Sequence, residues 1–154
     1  MNIAEKLQEL GLELPDAAAP AANYVPYVIA DDDMLYISGQ IPFLNGQAMH
    51  QGRLGDDLAV EQGKEAAKAC ALNILGQANA AVGGDWSKVK RLVKLGAFVQ
   101  STPDFTDQPE VVNGASDLFV EVMGDAGKHA RFAVSAAALP RGVAVEIDAV
   151  FELI

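Results

Sequence analysis

From residue 143 to residue 153 the chain alternates in a way that suits one structure. Val143, Val145, Ile147, Phe151 and Leu153 fall on one side of an extended strand, with Glu146, Asp148 and Glu152 on the other. A strand patterned like this needs an apolar layer against one face only. Two helical stripes can supply it. Ala66, Ala67, Cys70, Ala71, Ile74, Leu75 and Ala78 recur at helical spacing between Val60 and Ala81, and Gly83-Gly84 stops the run. Val111, Ala115, Leu118, Phe119, Val122 and Met123 form the second stripe, which ends at Gly124.

The remaining strands are shorter or less regular. Tyr27 to Ala30 and Met34 to Ile37 flank Asp31-Asp32-Asp33, whose side chains suit a turn. Residues 89 to 99 alternate with one mostly apolar side, and residues 131 to 139 connect to 143 to 153 through "LPRG". Ile3, Leu7 and Leu10 followed by Gly11 predict a short amphipathic helix over residues 2 to 10, and "ELPDAAAPAAN" reads as a linker-like lead-in. The order is β-β-α-β-α-β-β after a helical N-terminus. Without strict βαβ alternation it predicts an α+β fold, a sheet with both long helices on one face. Residues 1–154 form one domain, with 1–20 as an N-terminal helical extension. The other sheet face keeps Ala, Val, Leu and Phe among its charges, and closed self-association is the expected cover.

Composition removes several functions. At 154 residues the chain is long enough for a core without a disulfide or metal staple. Its single cysteine, Cys70, lies inside a helical stripe and reads as a small buried hydrophobe. A formal charge of −10 argues against nucleic acid as the main partner, and the basic run "KVKRLVK" reads as a strand with one solvated face. No apolar run reaches membrane-spanning length and the N-terminus has no secretory pattern, so a cytoplasmic protein with no membrane partner is expected. His50 and His129, far apart and without metal-ligand spacing, predict neither a metal nor a metal cofactor. No Gly-x-Ser-x-Gly elbow, Walker lysine or dinucleotide glycine pattern occurs.

The segments "SGQIP", "NGASDLF", "HARFAV" and "LPRGVAVEIDAV" together resemble the RidA/YjgF family, imine and enamine deaminases that also carry an endoribonuclease label. The likeness spans roughly residues 20 to 154, with Arg131 eight residues before Leu139 and Glu146 six after Pro140. It implies a chorismate-mutase-like fold, a homotrimer, and active sites in clefts between neighbouring subunits, with no cofactor. It also implies roles. Arg131 corresponds to the arginine that grips a substrate carboxylate, Glu146 to the acid that positions water, and Ser38-Gly39 to a backbone wall of the pocket. Tyr24 corresponds to an aromatic lid, with Tyr27 as the alternative, and Asn113 to a polar wall residue. Arg131 and Glu146 are expected to open into one cleft with Ser38-Gly39. Ala133 stands where many members carry cysteine, so no thiol takes part.

Elementary chemistry agrees with these roles. A guanidinium holds a carboxylate through two parallel N–H bonds, and glycine lets its backbone approach a ligand closely. Read on residues alone, Arg131 is better taken as a strand-edge charge and Glu146 as a member of a solvated face, while Asn113 is equally a helix-surface residue and Tyr24 an interface aromatic. Three functions are thus in view. They are hydrolysis of 2-imino or 2-enamino acids to 2-keto acids and ammonium, regulatory binding of a small carboxylate without turnover, and RNA cleavage or translation inhibition. The absence of a histidine pair for ribonuclease-type acid–base work counts against the third.

Overall fold

A computed structural model describes residues 2–20 and 22–154. Its elements are α1 (Ile3–Glu9), β1 (Tyr27–Ala30), β2 (Met34–Gln40), β3 (Phe43–Leu44), β4 (Gln47–Ala48), α2 (Val60–Ala81), β5 (Val89–Gln100), α3 (Gln108–Met123), β6 (Ala130–Ala136) and β7 (Val145–Leu153). Five strands form one mixed sheet in the order β1-β2-β7-β5-β6, with β3 and β4 as a separate small hairpin. The α+β class, with the long helices packed on one sheet face, is the architecture the two stripes require. Among the described residues no helix is long and apolar enough to cross a membrane.

The core is the contact between those stripes and the inward side of the sheet. Ala66, Ala67, Cys70, Ala71, Ile74, Leu75 and Ala78 are all fully buried, and so are Ile147 and Phe151 on β7. Burial pushes the Cys70 thiol well above its ordinary pKa, which keeps it an unreactive core atom. α1 belongs to the same core, since Ile3 and Leu7 are fully buried. Asp31 and Asp32 take left-handed backbone angles, φ 52° and 65°, in the turn between β1 and β2. Aspartate is among the few non-glycine residues that tolerate that conformation.

The small residues of α2 and α3 let the two helices touch backbone to backbone. A Cβ on Gly114 of α3 would overlap the Lys64 carbonyl of α2, a backbone group that cannot swing aside. Gly114→Ala is therefore expected to cost at least about 2 kcal/mol and to lower Tm by on the order of 5 °C despite alanine's better helix propensity. Thermal unfolding measures it, and an unchanged Tm would mean the helices separate freely.

The last two strands, joined through "LPRG", are not neighbours in the sheet. β5 lies between them, parallel to β6 and antiparallel to β7. A parallel neighbour needs a crossover, which α3 provides between β5 and β6. The connection from β6 to β7 then wraps the end of β5, where buried Gln100 acts as a peg. Its side chain accepts from Leu139 N at 2.7 Å and donates to Gly52 O at 2.8 Å, and its own N–H donates to Ala144 O at 2.8 Å. Arg141 and Gly142, at φ 60° and 68°, make the turn.

The sheet face away from the helices stays open. Tyr36, Phe98, Phe132 and Val134 remain 37–48% exposed, with the Phe98 and Phe132 rings edge to face at 5.5 Å. This is the uncovered apolar surface the strand patterns predict.

Candidate functional site

At the end of β2 the ladder to β7 breaks. Ile37 pairs with Ala149 and Gln40 with Ile147, so Ser38 and Gly39 form a bulge with no ladder partners of their own. Ser38 is fastened in place. Its hydroxyl donates to Val25 O at 2.8 Å, its N–H to Pro26 O at 2.9 Å, and its carbonyl accepts from Gln40 Nε2 at 3.0 Å. Across the bulge the Glu146 carboxyl lies against Gly39, so that a Cβ there would come 2.6 Å from Oε1. Sequence position 39 thus holds glycine because a carboxyl occupies its side-chain space.

Glu146 is half-buried on the open face of β7 and has no ion pair or side-chain hydrogen bond among the described residues. Burial raises its pKa above the ordinary glutamate value, and the negative charge of Asp148 raises it further. Asp148 is itself occupied, accepting from Gly96 N at 2.9 Å.

Gly39 also lines a cleft of about 640 Å³, a size suited to a small molecule. The β3–β4 hairpin forms one wall, and Pro15 to Pro20 of the lead-in form the other. Tyr24 and Arg141 reach the same cleft, whereas Tyr27 lies in β1 and packs against the core. The lead-in is held in place by buried Gln77, whose Nε2 donates to Ala18 O at 2.8 Å.

Gly39→Ala should therefore leave folding nearly intact, because the obstacle is the free end of a flexible side chain, yet displace the Glu146 carboxyl. We expect Tm within about 2 °C of the parent. Any chemistry that uses Glu146 should fall by about tenfold or more. Equal activity in the variant would separate Glu146 from the reaction.

Arg131 and Asn113 do not join this group within one chain. Arg131 sits on β6 at the sheet edge, in register with Leu95 and through it with Ala149, three residues from Glu146 on β7. Two strand spacings and three residues of rise separate the two backbones by roughly 14 Å. Their side chains also leave opposite faces. Arg131 turns toward α3, where Nη1 donates to Ser116 Oγ at 2.9 Å and Nη2 to Pro109 O at 3.1 Å. Pro109, Asn113 and Ser116 lie along one stripe of that helix, so Asn113 accompanies Arg131. The expectation of one cleft with Ser38-Gly39 and both Arg131 and Glu146 is corrected for the single chain. The insertion of β5 between β6 and β7 is the physical reason.

The YjgF/chorismate mutase-like, putative endoribonuclease family model matches residues 4–151. The chain belongs to the YjgF family. A crystal structure described as a putative endoribonuclease from Shewanella oneidensis superimposes with a TM-score of 0.94 at 33% identity, over 99% of this chain and 100% of that one. Protein Atu1372 of Agrobacterium tumefaciens, whose function is given as unknown, has a TM-score of 0.92 at 47% identity, covering 99% and 92% of the two chains. Protein TCP17 of Trypanosoma cruzi is 51% identical over 153 residues, 99% of this chain and 94% of that protein.

Within this YjgF chain the basic run on β5 is engaged internally. Lys90 pairs with Glu152 at 2.6 Å, Arg91 donates to Lys128 O at 2.9 Å, and Lys94 lies over the Phe132 ring at 5.4 Å. Three of its four cations are thus turned to neighbours, which weakens its reading as an RNA patch. No group of three or more His, Cys, Asp or Glu that could hold a metal occurs among the described residues. Two features of the cleft lie outside the sequence reading. The Asn45-Gly46 hairpin, with φ 53° and 76°, had a clear signal in its dipeptide. The lead-in wall had a fainter one, a glutamine on the apolar stripe of α2.

Proposed function

We propose that this YjgF-family chain hydrolyses small 2-imino acids, and the 2-enamino acids that tautomerise to them, to 2-keto acids and ammonium. The observation that carries the proposal is the Glu146 carboxyl, seated over Gly39, shifted toward its protonated form and without a counter-ion among the described residues. Such a group suits a reaction in which one acid takes and returns protons. As a carboxylate, Glu146 accepts a proton from water while the water oxygen bonds to the imine carbon, then passes that proton to nitrogen. It next takes the proton of the new hydroxyl and gives it to the same nitrogen. The C–N bond breaks, a C=O group remains, and ammonia leaves to become ammonium in solvent. An enamine first moves a proton from nitrogen to C3.

The substrate carboxylate is assigned to Arg131, whose guanidinium has N–H groups beyond the two engaged by Ser116 and Pro109. A carboxylate and its neighbouring imine carbon are one bond apart, so they cannot bridge roughly 14 Å of sheet. The proposal therefore takes Arg131 and Asn113 from a second copy. A homotrimer with sites at its subunit boundaries accommodates this, and the apolar open face supports such an assembly. Ser38-Gly39 forms the wall beneath the reacting carbon, and Tyr24 covers the cleft that takes the substrate's side chain.

An amino-acid oxidase that generates imino acids in situ provides the test. Catalytic amounts of the protein should speed keto-acid formation for at least one of a panel of amino acids. Binding of keto acids without acceleration would replace this proposal with the regulatory module. Loss of RNA substrate in a nuclease assay would favour the third reading.

A further inference from the structure

Arg131 is held by a proton-ordered relay. His129 Nδ1 lies 2.6 Å from Gly127 O, and a carbonyl only accepts, so Nδ1 carries the hydrogen. In the neutral ring Nε2 is then an acceptor. Ser116 Oγ, 2.9 Å away, must spend its single proton on Nε2. That leaves its lone pairs for Arg131 Nη1, also at 2.9 Å. The direction of every hydrogen bond along Gly127–His129–Ser116–Arg131 is thereby assigned, and the serine hydroxyl can present only an acceptor to the guanidinium.

The surroundings keep the relay in that state. His129 packs edge to face on Phe119 with 6.1 Å between centroids, and burial lowers its pKa, the Arg131 cation adding to this against the opposing Gly127 bond. Pro109 O supplies a second, independent hold on Nη2 at 3.1 Å. Two acceptors on separate turns of α3 fix the plane of the guanidinium, which a single contact leaves free to rotate.

We infer that Ser116 and His129 are positioning residues that set the plane of Arg131 for a planar carboxylate ligand. This rests on the proposed reading of Arg131. A carboxylate bound by two parallel N–H bonds shares the plane of its arginine, so a guanidinium free to tilt loses part of the second bond.

Two readouts test it on the full-length protein. Phenylglyoxal labelling, followed at Arg131 by peptide mass spectrometry, reports how firmly the guanidinium is held and needs no ligand. Titration with pyruvate, 2-oxobutyrate and phenylpyruvate reports binding. Ser116→Ala should speed labelling several-fold and weaken the tightest keto acid by about tenfold, while Ser116→Thr, which keeps the hydroxyl, restores both. His129→Phe keeps the packing on Phe119 but removes the acceptor, and should give a smaller change in the same direction. Unchanged labelling in Ser116→Ala overturns the relay whatever the binding result. Faster labelling with unchanged keto-acid affinity overturns its role in binding. A parent protein that binds none of the three keto acids overturns instead the carboxylate reading of Arg131, and the labelling still decides the relay.

Discussion

Glu146→Gln is expected to bind 2-keto acids within about threefold of the parent and to lose about 10²–10⁴-fold in kcat/KM for imine hydrolysis. Glutamine keeps the shape of the side chain over Gly39 but cannot accept a proton from water or return one to nitrogen. The pH profile sharpens the test. Water attack needs the carboxylate, so in the parent the rate should fall as pH drops through the raised pKa of Glu146, and this acid limb should be missing from the residual activity of the variant. Stability should move the other way. A folded-state pKa raised above the unfolded value favours the fold while the group is protonated, and that contribution is lost as pH rises through the folded value. At neutral pH Glu146→Gln should therefore melt no lower than the parent, with the two converging below about pH 4. Full hydrolytic activity in the variant would leave Glu146 as an ordinary strand residue.

Arg131→Lys keeps the charge and loses the fork. Lysine cannot satisfy Ser116 and Pro109 together while presenting two parallel donors to a ligand, so KM and keto-acid Kd should rise by about 10–100-fold with little change in Tm. Arg131→Ala should lose more, because the charge goes as well. Unchanged binding in the lysine variant would make Arg131 a tether between β6 and α3 and nothing further.

The parts of the fold that were legible in the sequence are those set by local periodicity. The alternation over 89 to 99 and 143 to 153 and the two helical stripes depend on which side of an element is apolar, and β5, β7, α2 and α3 follow them closely. Strand order is not local. That β5 comes between β6 and β7 depends on the α3 crossover and on Gln100 pegging the 137 to 144 connection, and a glutamine at a strand end gives no sign of a partner 39 residues away. The site divides the same way. Gly39 and Glu146 meet because β2 and β7 are neighbours with a bulge between them, and Tyr24 joins Gly39 at the cleft. Arg131 and Asn113 lie with α3, since alternation on an edge strand fixes a side chain's face only once the strand's neighbours are known. Pro15 to Pro20 read as a linker because proline and alanine carry no pattern, while their anchors, Gly76 against the Pro15 carbonyl and Gln77 on Ala18, sit more than 50 residues away.

A site assembled from two copies has a direct signature. Arg131→Ala and Glu146→Gln are each expected to be inactive when pure. Mixed in equal amounts and allowed to exchange subunits, they should recover about a quarter of the parental activity, because a boundary is whole when its arginine and its acid both come from the unmodified halves. Recovery near that level, appearing with the time course of subunit exchange, is the predicted result. Two variants that fold, exchange subunits and stay inactive together would contradict it, and would mean that Arg131 and Glu146 do not serve one site.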